Sequence, residues 1–150
     1  MTDEARAPWH LWLVGLVSLL WHTGGAFDYT MTHLRDEAYL RAAADNAGVP
    51  YDVMLGYFTG FPLWAHAGWA FGVWGAVAGS LLLLARSRFA VHAFALSLAG
   101  LAVSTLHQAI GDMPAALDTP FTWIFTAVIV AVTLGLILYA RRMVQRGVLR

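Results

Sequence analysis

Residues 61–85 read FPLWAHAGWAFGVWGAVAGSLLLLA, and no Asp, Glu, Lys or Arg interrupts them. At 1.5 Å of rise per residue, about 20 such residues cross the hydrocarbon core of a bilayer. Runs free of formal charge recur along the chain, at 7–27, 53–85, 89–111 and 119–140. The chain has 150 residues, of which 59% are hydrophobic and 12% charged, whereas an ordinary soluble domain holds roughly 45–50% apolar residues. Four spans, at approximately 8–27, 61–85, 89–110 and 120–140, take about 80 residues and leave about 70 for loops and tails. The expected fold is all-α: a four-helix transmembrane bundle with a partly helical external loop between spans 1 and 2, in one integral membrane domain over 1–150.

The same composition excludes several function classes. Nine acidic and nine basic residues cannot clothe a soluble enzyme of this size in polar surface. A formal net charge of zero supplies no basic stripe for nucleic acid. With no cysteine, disulfides, iron–sulfur clusters and thiolate metal sites are excluded. The first span is expected to be retained rather than cleaved after Gly24-Gly25-Ala26. Its amino end, Asp3-Glu4-Ala5-Arg6, is no positive n-region, and its apolar run exceeds an h-region of about 7–15 residues.

Arginine placement gives the orientation, because Lys and Arg collect on the cytoplasmic side. Arg6, Arg86, Arg88, Arg141, Arg142, Arg146 and Arg150 fall on one side, and Arg35 and Arg41 on the other. The expectation is a bacterial inner-membrane protein with N- and C-termini cytoplasmic, its partners being the lipid bilayer and no nucleic acid. Trp9, Trp12, Phe61, Trp64, Trp123 and Tyr139 fall near span ends, as interfacial aromatics do. The first external loop is expected to be helical over 32–44, to stop at Asn46-Ala47-Gly48, and to restart at Pro50 as a short amphipathic piece through Phe58.

Intramembrane ionisable groups are the candidate functional residues. Measured from span midpoints, His22, His66 and His107 fall roughly 7–11 Å toward the outside, and His10 and His92 a similar distance inward. His22 shares a helical face with Gly15, Ser18 and Gly25, and His107 with Ser97, Gly100, Ser104 and Gly111. Small and polar residues at this spacing mark the packed side of a membrane helix. His66 points away from the Gly68, Gly72, Gly75, Gly79 stripe. The expected ligand chamber, in the external half, is lined by His22, Ser104, His107, Gln108, Thr122 and Thr126.

Three uses of that chamber compete: helix docking by hydrogen bonds, binding or transport of a small solute, and haem b held between paired histidines. Haem would draw on an outer His22–His107 layer and an inner His10–His92 layer; otherwise no cofactor and no metal site is expected. A proton-coupled carrier would keep a carboxylate within the bilayer, yet every Asp and Glu lies outside the expected spans. No H-E-x-x-H, G-x-S-x-G or P-loop motif is present, so no enzyme is expected. The glycine stripe suits close helix packing within the chain, or with a second copy or another membrane protein.

Three segments carry a resemblance. They are Trp21-His22-Thr23-Gly24-Gly25-Ala26-Phe27-Asp28-Tyr29, Tyr57-Phe58-Thr59-Gly60-Phe61-Pro62-Leu63-Trp64, and Ile124-Phe125-Thr126-Ala127 with Leu138-Tyr139-Ala140-Arg141-Arg142. Through them the chain resembles a family of small four-span alphaproteobacterial membrane proteins, mostly hypothetical and sometimes loosely labelled "sugar transporter". The resemblance covers nearly the whole chain and implies a fold and a membrane location rather than an activity. The family usually carries Asn where this chain has His22.

Overall fold

The computed structural model describes residues 7–150, so Arg6 in the charge count lies outside the described residues. Its helices are α1 (Trp9–His33), α2 (Glu37–Ala47), α3 (Tyr51–Thr59), α4 (Leu63–Leu84), α5 (Ala90–Ile110) and α6 (Pro120–Gln145). No strand occurs among the described residues. Proline and short polar side chains set the starts. Pro8, Pro50 and Pro62 stand at the N-caps of α1, α3 and α4, where a fixed φ and a missing N–H cost nothing. Asp36 and Thr119 cap α2 and α6 by accepting from the backbone N–H of Tyr39 and Thr122.

The first loop folds as two helices joined at Gly48, which adopts a left-handed conformation (φ 68°) while Val49 N–H bonds back to Ala44 O at 3.0 Å. One boundary differs from the sequence reading. Residues 32–33 belong to α1, which runs six residues beyond the expected end at Phe27 and closes at Arg35 (φ 52°). Thr30 supports this extension by donating its hydroxyl to Ala26 O at 2.6 Å. Asp28 therefore sits inside a helix.

The helices pack in the order α1, α4, α5, α6. The α4–α5 pair is the tightest. Gly68, Gly72, Gly75 and Gly79 face Val103, Leu101, Ser97 and Phe94 of α5, so the stripe is occupied within the chain. On α5, a Cβ at Gly100 would stand 2.5 Å from Gly68 O. On the other side of α4, Gly15 of α1 lies against Leu84.

We call the end holding Trp9, Leu84, Ala90 and Gln145 the terminal end, and the end covered by α2 and α3 the cap end. At the terminal end, Leu11, Leu83, Ala90, Phe94, Leu136, Ala140 and Met143 form the core together with Val148 and Leu149. Helix α6 continues to Gln145, and the chain then folds back so that Arg88 N–H donates to Arg150 O (2.8 Å) and Arg150 N–H to Arg86 O (2.9 Å). At the cap end, Leu40, Ala44, Val49 and Met54 pack with Leu117 from the α5–α6 loop.

Helices α4, α5 and α6 are each long and apolar enough to cross a membrane. Helix α1 has 25 residues, but His10, His22, Thr23 and Asp28 dilute its apolar run. The outward surface supports a bilayer setting. Leu16, Leu20, Phe71, Leu106, Ile110, Phe121 and Ile124 are all more than half exposed, and a soluble monomer rarely presents so large an apolar area to water. The protein is thus all-helical, with three helices suited to a multi-pass membrane location.

Candidate ligand site

Helix α1 rests on α4 and α6 rests on α5, and α1 and α6 approach each other at two aromatic contacts. At the terminal end, His10 Nδ1 and Tyr139 Oη lie 2.5 Å apart. Farther along, the rings of Trp21 and Phe125 lie 6.0 Å apart. Between the four helices is a cavity of 640 Å³, within the range of roughly 300–1,000 Å³ that holds small organic ligands. Small residues create the space: Gly24 and Gly25 on α1, Gly72 and Ala76 on α4. Leu20, Gly24, Gly25 and Phe125 line it and are also exposed on the outer surface, so the cavity opens sideways between α1 and α6.

The wall is mostly apolar, with aromatic rings from Trp21, Trp69 and Phe125. Its polar side chains are His22, Asp28, Ser97, Ser104 and Thr133, and Trp21 and Trp69 each add an indole N–H. His22 is 7% exposed, and its Nδ1 lies 2.9 Å from Ser80 Oγ. The Nε2 atom is buried without a hydrogen-bond partner, which is costly for a polar group unless something completes it. Asp28, toward the cap end, accepts from Tyr39 Oη at 2.6 Å. The Tyr39 phenol is pushed well above its ordinary range by burial, then by that hydrogen bond and the negative charge of Asp28.

The structure divides the six chamber residues named from the sequence. His22 and Ser104 line the cavity. His107 lies instead under the cap, its ring 4.5 Å from Phe61 and 5.2 Å from Trp64, with Gln108 beside it in α5 and outside the lining. Thr122 donates to Leu117 O and Thr126 to Thr122 O, so both hydroxyls serve their own segment. His22 meets Phe94 at 6.2 Å between rings, and Phe94 precedes His107 by thirteen residues of α5, about 20 Å of helix. The cause is the length of α1. With α1 running to His33, its centre falls at Trp21, which puts His22 near mid-helix and level with Ser80 and Phe94.

The inner histidines are held separately. His10 bonds Tyr139, and His92 lies against Phe89. Among the described residues, no group of three or more His, Asp or Glu is placed to hold a metal ion.

A second, smaller cavity of 130 Å³ under the cap is lined by Thr32, His33, Arg35, Thr59 and His66 among others. The His33 and His66 rings meet edge-on at 5.2 Å, and His66 Nδ1 is buried without a partner. By sequence His33 falls in the external loop rather than in a span, and the structure places it in the last turn of α1. The available signal was Tyr29-x-x-x-His33, whose rings stack at 4.5 Å on one face of the extended α1.

No family model matches the chain, and neither a curated protein nor a solved structure does. The site is therefore read from its own residues.

Proposed function

We propose that this chain is a non-enzymatic four-span protein of the bacterial inner membrane, with both termini cytoplasmic, whose interhelical cavity binds a small, largely apolar molecule taken from the bilayer. The observation that carries this reading is the 640 Å³ cavity opening between α1 and α6. Its entrance lies among exposed apolar residues such as Leu20 and Phe125. Helix α1 would be the fourth span, being long enough at 25 residues and pinned to both α4 and α6.

A sugar carrier would need several amides and acids around the solute, whereas this wall offers hydroxyls, two indoles, one imidazole and one carboxylate. Bis-histidine haem would need a second imidazole at the level of His22, and His107 is about 20 Å away along α5. The glycine stripe, being covered by α5, is not needed for a partner.

The test is titration of the purified protein with 4-octylanisole, followed by the fluorescence of Trp21 and Trp69 in the wall. Saturable quenching that Gly25→Leu removes is expected. Nothing stands within 4 Å of a Cβ at Gly25, so the larger side chain fills the cavity without a clash. Quenching that is linear, or unchanged in Gly25→Leu, overturns the reading, as does a Soret band in the absorption spectrum.

A further inference from the structure

We infer that the ligand is a neutral alkylated phenol, of the hydroquinone class, whose hydroxyl donates a hydrogen bond to His22 Nε2. This rests on the reading of the cavity as a ligand site. It comes from following each polar proton. Ser80 has one hydroxyl proton, and its Oγ donates to Ala76 O at 3.0 Å. With that proton on Ala76 O, Ser80 accepts toward His22 and the 2.9 Å bond is donated by Nδ1–H, the tautomer on which the inference rests. In a neutral imidazole this leaves Nε2 as a bare lone pair, and Nε2 is the buried atom without a partner.

The hydroxyls around it are arranged alike. Ser97 donates to Gly72 O (2.5 Å), Ser104 to Leu101 O (3.0 Å) and Thr133 to Ile129 O (2.8 Å). Each has one proton, and each proton is already engaged. The hydroxyls and the imidazole of the wall therefore present lone pairs, the donors in the lining being the indole N–H groups of Trp21 and Trp69, and a group bonded to His22 Nε2 must bring its own proton.

Charge narrows the class. No Arg or Lys lines the cavity, and Asp28 does. A fatty acid or phosphate head would meet a carboxylate with no cation to offset it. Shape narrows it further. The rings of Trp21, Trp69 and Phe125 line the space, and Phe94 lies against His22, which suits an aromatic head. An alkyl chain leaving between α1 and α6 enters the lipid.

A matched pair of probes tests the inference in the purified full-length protein. 4-Octylphenol and 4-octylanisole have nearly the same shape, and the second lacks the donor proton. Wild-type protein is expected to bind the phenol about tenfold more tightly, the scale of one buried hydrogen bond. His22→Phe should bring the ratio to about one, with the anisole affinity retained. Equal affinities in wild type overturn the inference, whatever the variant does, and leave the cavity reading standing. A tenfold ratio that survives His22→Phe overturns it too, by placing the acceptor elsewhere. Failure of both probes to bind is a different result, and it removes the cavity reading with the inference.

Discussion

His10 Nδ1 on α1 and Tyr139 Oη on α6 lie 2.5 Å apart although 129 positions separate them in sequence. The bond joins the outermost members of the helix row, whose rings meet again at Trp21 and Phe125. Interhelical hydrogen bonds in membranes contribute about 0.6 kcal/mol on average and up to about 1.7. Tyr139→Phe should therefore lower stability by about 1 kcal/mol, measured by reversible unfolding in mixed detergent, with the helical content unchanged. A loss far outside that range would mean that the bond does more than fasten α1 to α6.

The α4–α5 contact should tolerate nothing larger than glycine at its centre. A Cβ at Gly100 would meet Gly68 O at 2.5 Å as well as Gly72 N, and both are backbone atoms that cannot rotate away. Gly100→Ala is expected to destabilise by at least 1–3 kcal/mol, the usual range for overpacking, seen as a reduced yield of monodisperse protein. At Gly135 a Cβ has open space, so Gly135→Ala should be neutral or gain up to about 1 kcal/mol of helix propensity. Equal behaviour of the two variants would contradict the close α4–α5 approach.

Alkaline pH should loosen the cap. The Tyr39 phenol is raised above its ordinary value near 10, so the folded state holds its proton more firmly than the unfolded state does. The stabilisation is complete below about pH 10 and is lost as pH rises through the higher folded-state value. Tyr39→Phe should flatten the fall in stability above pH 10, and it should lower stability at neutral pH by the loss of the bond to Asp28. Melting curves between pH 8 and 11 would read both effects, and an unchanged alkaline slope in the variant would assign the decline to another group.

Orientation is tested with reporters. One fused after Arg150 should report the cytoplasm, and one inserted beside Asn46, near the end of α2, should report the outside. The reverse pattern would refute the assignment drawn from the arginines.

Much of the fold was legible in the sequence because it is written in local chemistry. Thr119-Pro120 announces a helix start, Gly48 with Pro50 announces a break between two short helices, and the α4 glycines announce a close neighbour. The site was legible in part. Of the six residues expected together, His22 and Ser104 line the cavity and His107, Gln108, Thr122 and Thr126 do not, because an α1 that runs to His33 shifts the depth of His22 relative to the others. Loss of apolar character at Phe27 looks like the end of a span, but a helix persists wherever its backbone bonds are satisfied, and here they continue to Leu34 N–H on Thr30 O and Asp36 N–H on Met31 O. The fold-back at Val148 and Leu149 depends on long-range packing that no short pattern encodes.

Only 11% of the apolar stretch of α6 is buried, and its inner face rests on α5. A helix seated along one edge leaves its far side to the surroundings, and its ties to α1 are the Trp21–Phe125 contact and the His10–Tyr139 bond. How firmly α6 sits would then follow the thickness of the surrounding lipid, so the same protein should unfold more readily in bilayers that mismatch its apolar stretch.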